Sequence, residues 1–219
     1  MTAVGTSATQ RKKLSAGARR GLWIGVVVVV LAGVVLGTRV VSDDDPLVQQ
    51  TAEFDAATFG GEHFPEVQDA VADRAVDATV VAEASAADPA AAAEEYAVPS
   101  SGGPVYAVTF TGVVGEGQSG IYPVAVEGMP ADVLVRVQTG PAINGTDLRD
   151  ATGEITFGQF TNQIDYQDAA AALNEELKRE VLAGIDTAAL AGRTVTVTGV
   201  FTSINPASWL VTPTRIDVS

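Results

Sequence analysis

The sequence predicts an α+β protein. It begins with an N-terminal transmembrane helix and a short helical region. A five-stranded β-barrel follows, with a helix between its third and fourth strands. Three observations carry this expectation. Residues 21–38 form an uncharged apolar run, GLWIGVVVVVLAGVVLGT. Segments with strand-like alternation fall into two groups, 105–138 and 193–218. Between them lies a long polar stretch, residues 139–182, whose second half carries helix start and stop signals.

The apolar run is read first. At 1.5 Å per residue its 18 residues span about 27 Å, close to the ~30 Å of a bilayer core. Arg11, Lys12, Lys13, Arg19 and Arg20 precede it, and Asp43, Asp44 and Asp45 follow. The positive-inside rule then places residues 1–20 in the cytoplasm as a basic tail and the body outside. Trp23 suits an interfacial position. A cleaved secretory signal has the same charge order, but this run is long for one and no small-x-small site follows. A buried globular helix is not usually apolar on every face.

Residues 39–64 read as a stalk with a short ordered piece around Phe54 and Phe59. Residues 65–98 read as a helical subregion: Pro65 suits a first helical turn, and Val67, Ala70, Val71 and Ala75 keep helical spacing. Asp88-Pro89 is an N-cap and first-turn pair for AAAAEEY. The breaker run Pro99–Pro104 is the expected boundary to the body, residues 104–219. The lone His63, in GGEHFPE, reads as a surface residue.

Within the body, Val105–Val114 alternates as a half-buried strand, and Gly115–Gly120 turns it. That glycine-rich turn has no following Lys-Ser/Thr and no helix after it, so it does not read as a phosphate loop. Ile121–Glu127 is a second strand, with Pro123 marking an edge or bulge. Ala131–Gln138 is a third, with Val133, Val135 and Val137 on one face. Arg193–Thr202 and Trp209–Val218 are the fourth and fifth. Three strands, a helix and two strands is the order of an OB-fold; an unrelated α+β sandwich has the same content.

The helix is expected over 165–183, capped by Asp165, with Leu173, Leu177 and Val181 as its apolar stripe and Glu175–Arg179 as a surface pair. The sequence expectation is that it stoppers the barrel. The inserted loop, residues 139–164, is longer than a barrel connection needs. Ile143, Leu148, Ile155, Phe157 and Phe160 are spaced to pin it down. Its polar groups therefore either satisfy the loop's own backbone or meet a ligand or partner. The candidate contact residues are Asn144, Arg149, Asp150, Asn162, Gln163 and Asn174, with Gly140, Pro141 and Gly145 shaping the loop. Asn144-Gly145-Thr146 also matches a glycosylation acceptor, a triplet common by chance.

Composition excludes several chemistries. The chain has no cysteine, hence no disulfide, no thiolate site and no lipidated cysteine in these 219 residues. One histidine rules out a multi-histidine metal site. No cofactor and no catalytic constellation are expected. Asp147, Asp150, Glu154 and Asp165 are acids of the kind glycosidases pair, but nothing in the spacing sets their separation. The overall charge of −14 conceals an asymmetry, because residues 1–42 hold six basic side chains and no acid. Residues 43–219 carry seven basic and 27 acidic side chains, a net charge of −20. Such a body repels phosphate backbones, so no nucleic-acid partner is expected.

The stretch TGPAINGTDLRDATGEITFGQFTNQIDYQDAAAALNEEL resembles the predicted periplasmic lipoprotein family, a bacterial domain family of unknown function. The likeness runs from about Val48 to Val218. It implies an exported, membrane-tethered domain, often encoded beside sugar ABC transporters, with a component of such a system as a partner. The family's marked positions fall on Gly140, Pro141, Asn144, Gly145, Arg149, Asp150, Asn162, Gln163 and Asn174. The chain departs at the anchor, where residues 21–38 would replace a lipid.

Overall fold

A computed structural model of the chain describes residues 54–219, and residues 53–219 form one compact unit. The basic tail, the apolar run at 21–38 and the stalk as far as residue 53 lie outside the described residues. Among the described residues no helix is long and apolar enough to cross a membrane.

Helix α1 (Ala56–Arg74) starts nine residues before Pro65. Asp55 caps it: the backbone N–H groups of Ala57 and Thr58 donate to Asp55 Oδ1 at 3.0 and 3.2 Å. Residues 56–64 are therefore helix, not stalk, and Pro65 lies in the helix interior. An interior proline removes one hydrogen bond and crowds the carbonyl four residues back. Here that carbonyl belongs to Gly61, and both Gly61 and Pro65 are exposed, so water can serve it. Burial of Phe64, Val67 and Val71 holds the helix through this point.

Strand β1 (Val76–Asp77), helix α2 (Ala78–Ala87), helix α3 (Pro89–Tyr96) and strand β2 (Ala97–Val98) follow. Asp77 and Asp88 cap the two helices, the latter with Pro89 in the first turn as expected. The run Pro99–Pro104 is not a domain boundary. It is the turn between β2 and strand β3 (Val105–Val114), with Val98 paired to Val105.

The strands β3, β4 (Ile121–Val126), β5 (Leu134–Gln138), β6 (Thr194–Thr202) and β7 (Ser208–Val218) close into the barrel. β3 pairs antiparallel with β4 and β6, β4 with β5, and β6 with β7, while β5 and β7 run parallel. The second edge of β3 is covered piecewise. β2 takes Val105–Tyr106, β1 takes Val108–Thr109 and β4 takes Gly112–Val114. The helical subregion thus completes the barrel wall. That is why the first four residues of β3 are buried without alternation. β5 begins three residues later than the expected Ala131, because Ala131 and Asp132 remain in an exposed turn.

The core gathers Trp209, Phe201 and Tyr106, with ring centroids 4.3 Å apart for Phe201–Trp209 and 5.4 Å for Tyr106–Phe201. Helix α4 (Asp147–Asp150) is one turn within the long loop, and helix α5 (Gln163–Leu177) follows it. α5 packs chiefly along α1 rather than stoppering the strands. Gly60 permits this approach, since a Cβ there would lie 2.9 Å from the Ala172 carbonyl oxygen. Leu173 and Leu177 are fully buried as expected, and a π-helical turn, Lys178–Leu182, ends the helix. The expected Glu175–Arg179 pair is replaced by Glu175–Lys178 and Glu176–Arg179. Glu176 is buried where Glu175 is exposed, so its carboxylate gains more from the guanidinium.

Candidate functional site

The polar loop is built from two interlocked glycines outward. Gly120 closes the β3–β4 hairpin with φ +77°, and Gly140 opens the loop with φ +88°. Thr139 N–H donates to the Gly120 carbonyl at 2.7 Å, which draws the hairpin tip onto the loop's first residues. Gly145 also has positive φ, +117°, and its carbonyl accepts a hydrogen bond from Asn174 Nδ2 at 3.1 Å. The buried Asn174 on α5 thereby fixes the entry to α4.

Arg149 and Asp150 are 4% and 9% exposed. Arg149 Nε donates to Asp150 Oδ1 at 2.8 Å, and Nη1 donates to the Tyr166 carbonyl at 3.1 Å. The guanidinium carbon sits 3.6 Å from the Tyr166 ring centroid. Asp150 Oδ2 accepts from the Thr146 hydroxyl at 2.7 Å. Arg149 Nε and Nη1, the Asp150 carboxylate and the Tyr166 ring face are thus taken up between the loop and α5.

Asn162, not Asp165, caps α5. Its Oδ1 accepts from the N–H groups of Ile164 and Asp165 at 2.8 and 3.0 Å, and its Nδ2 donates to Asp165 Oδ2 at 2.9 Å. The cap moves three residues earlier, from 165 to 162, because an asparagine with extended backbone satisfies two orphan donors at once. Asn144 and Gln163 are exposed and form no side-chain hydrogen bond among the described residues. The nine candidate positions therefore divide. Arg149, Asp150, Asn174 and the glycines lock the loop, Asn162 caps the helix, and Asn144 and Gln163 face outward with exposed Pro141.

The apolar pins behave unequally. Ile143, Leu148 and Ile155 are buried, whereas Phe157 is 49% exposed and lies against Tyr166 with centroids 5.7 Å apart. Phe160 lies 5.3 Å from Tyr166, 5.7 Å from Phe59 and 5.4 Å from Phe54, stitching the loop to α1. His63 packs on Phe59 at 4.3 Å and pairs with Glu66 at 3.1 Å. Ile164, beside Gln163, is 69% exposed.

The four acids share no hydrogen-bond partner. Asp150 holds Arg149 and Thr146, Asp165 holds Asn162, and Glu154 is exposed. Asp147 reaches from α4 into the barrel wall. It accepts from Thr202 N–H at 3.1 Å, from the Thr202 hydroxyl, and from the Thr212 hydroxyl at 3.1 Å. Thr212 in turn accepts from buried Gln138 Nε2. This anchor escaped sequence reasoning because its partners lie 55 and 65 residues away. Among the described residues no group of three His, Asp or Glu side chains is placed to hold a metal ion.

Burial raises the Asp147 pKa above its ordinary value, partly offset by the threonine bonds. A raised folded-state pKa favours the folded state most at low pH, and that contribution fades as pH rises through it. Asp147→Asn keeps the shape and removes the buried charge. Its stability relative to the wild type is therefore expected to improve as pH rises from acid to neutral. Asp147→Ala, which strands Thr202 N–H, is expected to cost about 2–3 kcal/mol at acid pH and less at neutral pH, since it too lacks the titrating carboxyl. Urea unfolding across a pH series tests both.

A closed five-stranded barrel with this strand order, walled on one edge by an N-terminal helical region, defines an OB-fold protein. Consistent with that class, the chain is similar to a crystal structure of an OB-fold protein from Thermotoga maritima. The likeness has a TM-score of 0.60 at 20% identity and covers 76% of this chain and 99% of that one. No curated protein matches the chain. The chain belongs to the family described as "Predicted periplasmic lipoprotein (DUF2291)", whose profile matches residues 25–217. It is accordingly an extracytoplasmic protein of the cell envelope.

Proposed function

We propose that this chain is a non-catalytic accessory protein, tethered to the membrane through residues 21–38, whose outward loop surface engages a membrane partner. The partner class we favour is a component of a sugar ABC uptake system. The observation that carries this reading is the division of the loop. Its inner half is rigidly self-bonded, while Asn144 and Gln163 keep their amides free among the described residues and Ile164 and Phe157 expose apolar surface. A fixed apolar anchor at Ile164 with the uncommitted amide of Gln163 beside it suits a protein contact. Direct capture of a sugar or anion by Arg149 is less favoured, since Arg149 is 4% exposed and its Nε and Nη1 are held by Asp150 and the Tyr166 carbonyl.

Photo-crosslinking from position 164 of the full chain in intact cells tests the proposal. The expected result is one discrete adduct with a membrane component, lost in a Gln163→Ala/Phe157→Ala variant. An even smear of adducts, or none, would discard it.

A further inference from the structure

We infer that a second surface, the cleft between α1 and the outer face of β3, β6 and β7, is a binding site for a small neutral polyhydroxylated molecule. The cleft has a volume of about 710 Å³, within the ~300–1,000 Å³ of ligand sites and ample for one or two sugar-sized rings. The threonine alternation of β6 builds its floor. In Thr194–Thr202 the valines point into the barrel, so Thr196 and Thr198 line the outside. Thr109 of β3 extends the hydroxyl surface to a second strand: Thr198 donates to the Thr109 hydroxyl at 3.4 Å, and the Thr196 and Thr111 hydroxyls share a bond at 2.9 Å, which leaves one proton and several lone pairs in each pair. Thr214 of β7 is buried beneath them, its hydroxyl donating to the Thr198 carbonyl at 3.3 Å. Each hydroxyl both donates and accepts, as the hydroxyls of a polyol do.

The rim supplies planar groups. Gln68 of α1 donates its amide nitrogen to the Thr214 carbonyl at 2.7 Å, leaving its amide oxygen uncommitted among the described residues. Arg215 gives Nε to Asp217 Oδ2 at 2.9 Å, and its two terminal nitrogens make no bond among the described residues. Asp69 stands exposed beside them. Carboxylate, amide and guanidinium groups present paired acceptors or donors at a spacing that suits adjacent hydroxyls. Ala72 and Val181 offer apolar wall for the C–H face of such a ring.

Charge narrows the ligand. Asp69, Asp217 and Glu180 outnumber Arg215 around the cleft, which disfavours an anion. The uncommitted Gln68 amide oxygen and Arg215 terminal nitrogens disfavour a purely apolar molecule, which would cover them without offering a partner. A neutral polyol meets both conditions. The inference does not depend on the partner surface at Gln163, which lies on other residues.

The test is methyl NMR of the full chain in detergent, titrated with glucose, ribose and, separately, spermidine at millimolar concentration. The expected result is a saturable shift of the Thr109, Thr196 and Thr198 methyls with at least one sugar. Thr196→Val/Thr198→Val, which preserves shape and strand propensity, should weaken that binding about tenfold while circular dichroism stays unchanged. Arg215→Ala, at an exposed position, should weaken it similarly. A response to spermidine alone would show attraction to the carboxylates only and overturn the proposal. No saturable shift with any probe would also overturn it. Loss of sugar binding with the position-164 adduct intact would separate this cleft from the partner surface.

Discussion

Replacing Arg149 with alanine is expected to destabilise the folded body by about 3–5 kcal/mol, the usual cost of removing one partner from a buried ion pair. The guanidinium is held on three sides at once: by Asp150, by the Tyr166 carbonyl and by the Tyr166 ring. Truncation leaves the Asp150 carboxylate, 9% exposed, with only the Thr146 hydroxyl for company. It also frees Tyr166 from one face, and Tyr166 is the hinge of the aromatic contacts with Phe157 and Phe160. Arg149→Lys should recover only part of the loss. A lysine ammonium is a point charge that cannot bridge carboxylate and carbonyl while lying flat on a ring. Arg149→Ala/Asp150→Ala should be milder than the two single losses combined, because no buried charge remains unpaired. Urea midpoints of the wild type, these three variants and Asp150→Ala decide this. A wild-type midpoint for Arg149→Ala, with partner crosslinking abolished, would make Arg149 a contact residue instead of a lock.

The second large effect is expected at Gly120. A Cβ there would lie 1.2 Å from the Gly140 carbonyl oxygen, far inside any tolerable contact, and the backbone φ is +77°. Gly120→Ala must therefore separate the β3–β4 hairpin from the start of the polar loop and break the bond from Thr139 N–H to the Gly120 carbonyl. A loss of about 4 kcal/mol or more is expected, at the exceptional end of single substitutions. Gly192→Ala is the control. Its φ is similar, +80°, but nothing lies within 4 Å of its added Cβ. It should cost only the conformational penalty, about 1–2 kcal/mol. The difference between the two midpoints isolates the clash from the backbone preference. Equal midpoints would mean that hairpin and loop are not interlocked.

Much of the barrel was legible because its signals are local. Val195 and Val197 alternate with threonines along β6, and they are buried while Thr196 is exposed. Leu173 and Leu177 mark the buried stripe of α5 by spacing alone. Errors arose where a local rule met a tertiary competitor. Pro65 suits a first helical turn, yet Asp55 caps α1 and core burial carries the helix through the proline. Asp165 suits a cap, yet Asn162 takes that role and Asp165 becomes its acceptor. Pro99–Pro104 suits a linker, yet β2 pairs with β3 across it. Phe157 suits a pin, yet half of it is exposed while Phe160 makes the contact with α1.

The candidate site shows the same division. Composition and spacing isolated the loop and its polar residues, since an asparagine, an arginine and glycines in a long connection are visible one residue at a time. Whether each side chain turns inward or outward was not visible. Asp147 finds Thr202 and Thr212 only after β6 and β7 have closed the barrel, and Arg149 finds Tyr166 only after α4 folds against α5. By itself the sequence determined the repeat of buried and exposed positions, the absence of thiol chemistry and the acidity of the body. Those properties depend on neighbours a few residues apart or on composition alone. Tertiary structure decided which polar groups are consumed as internal bonds and which still face solvent. A hydrogen bond requires two groups to meet in space, and here the closure of the chain chose the second group.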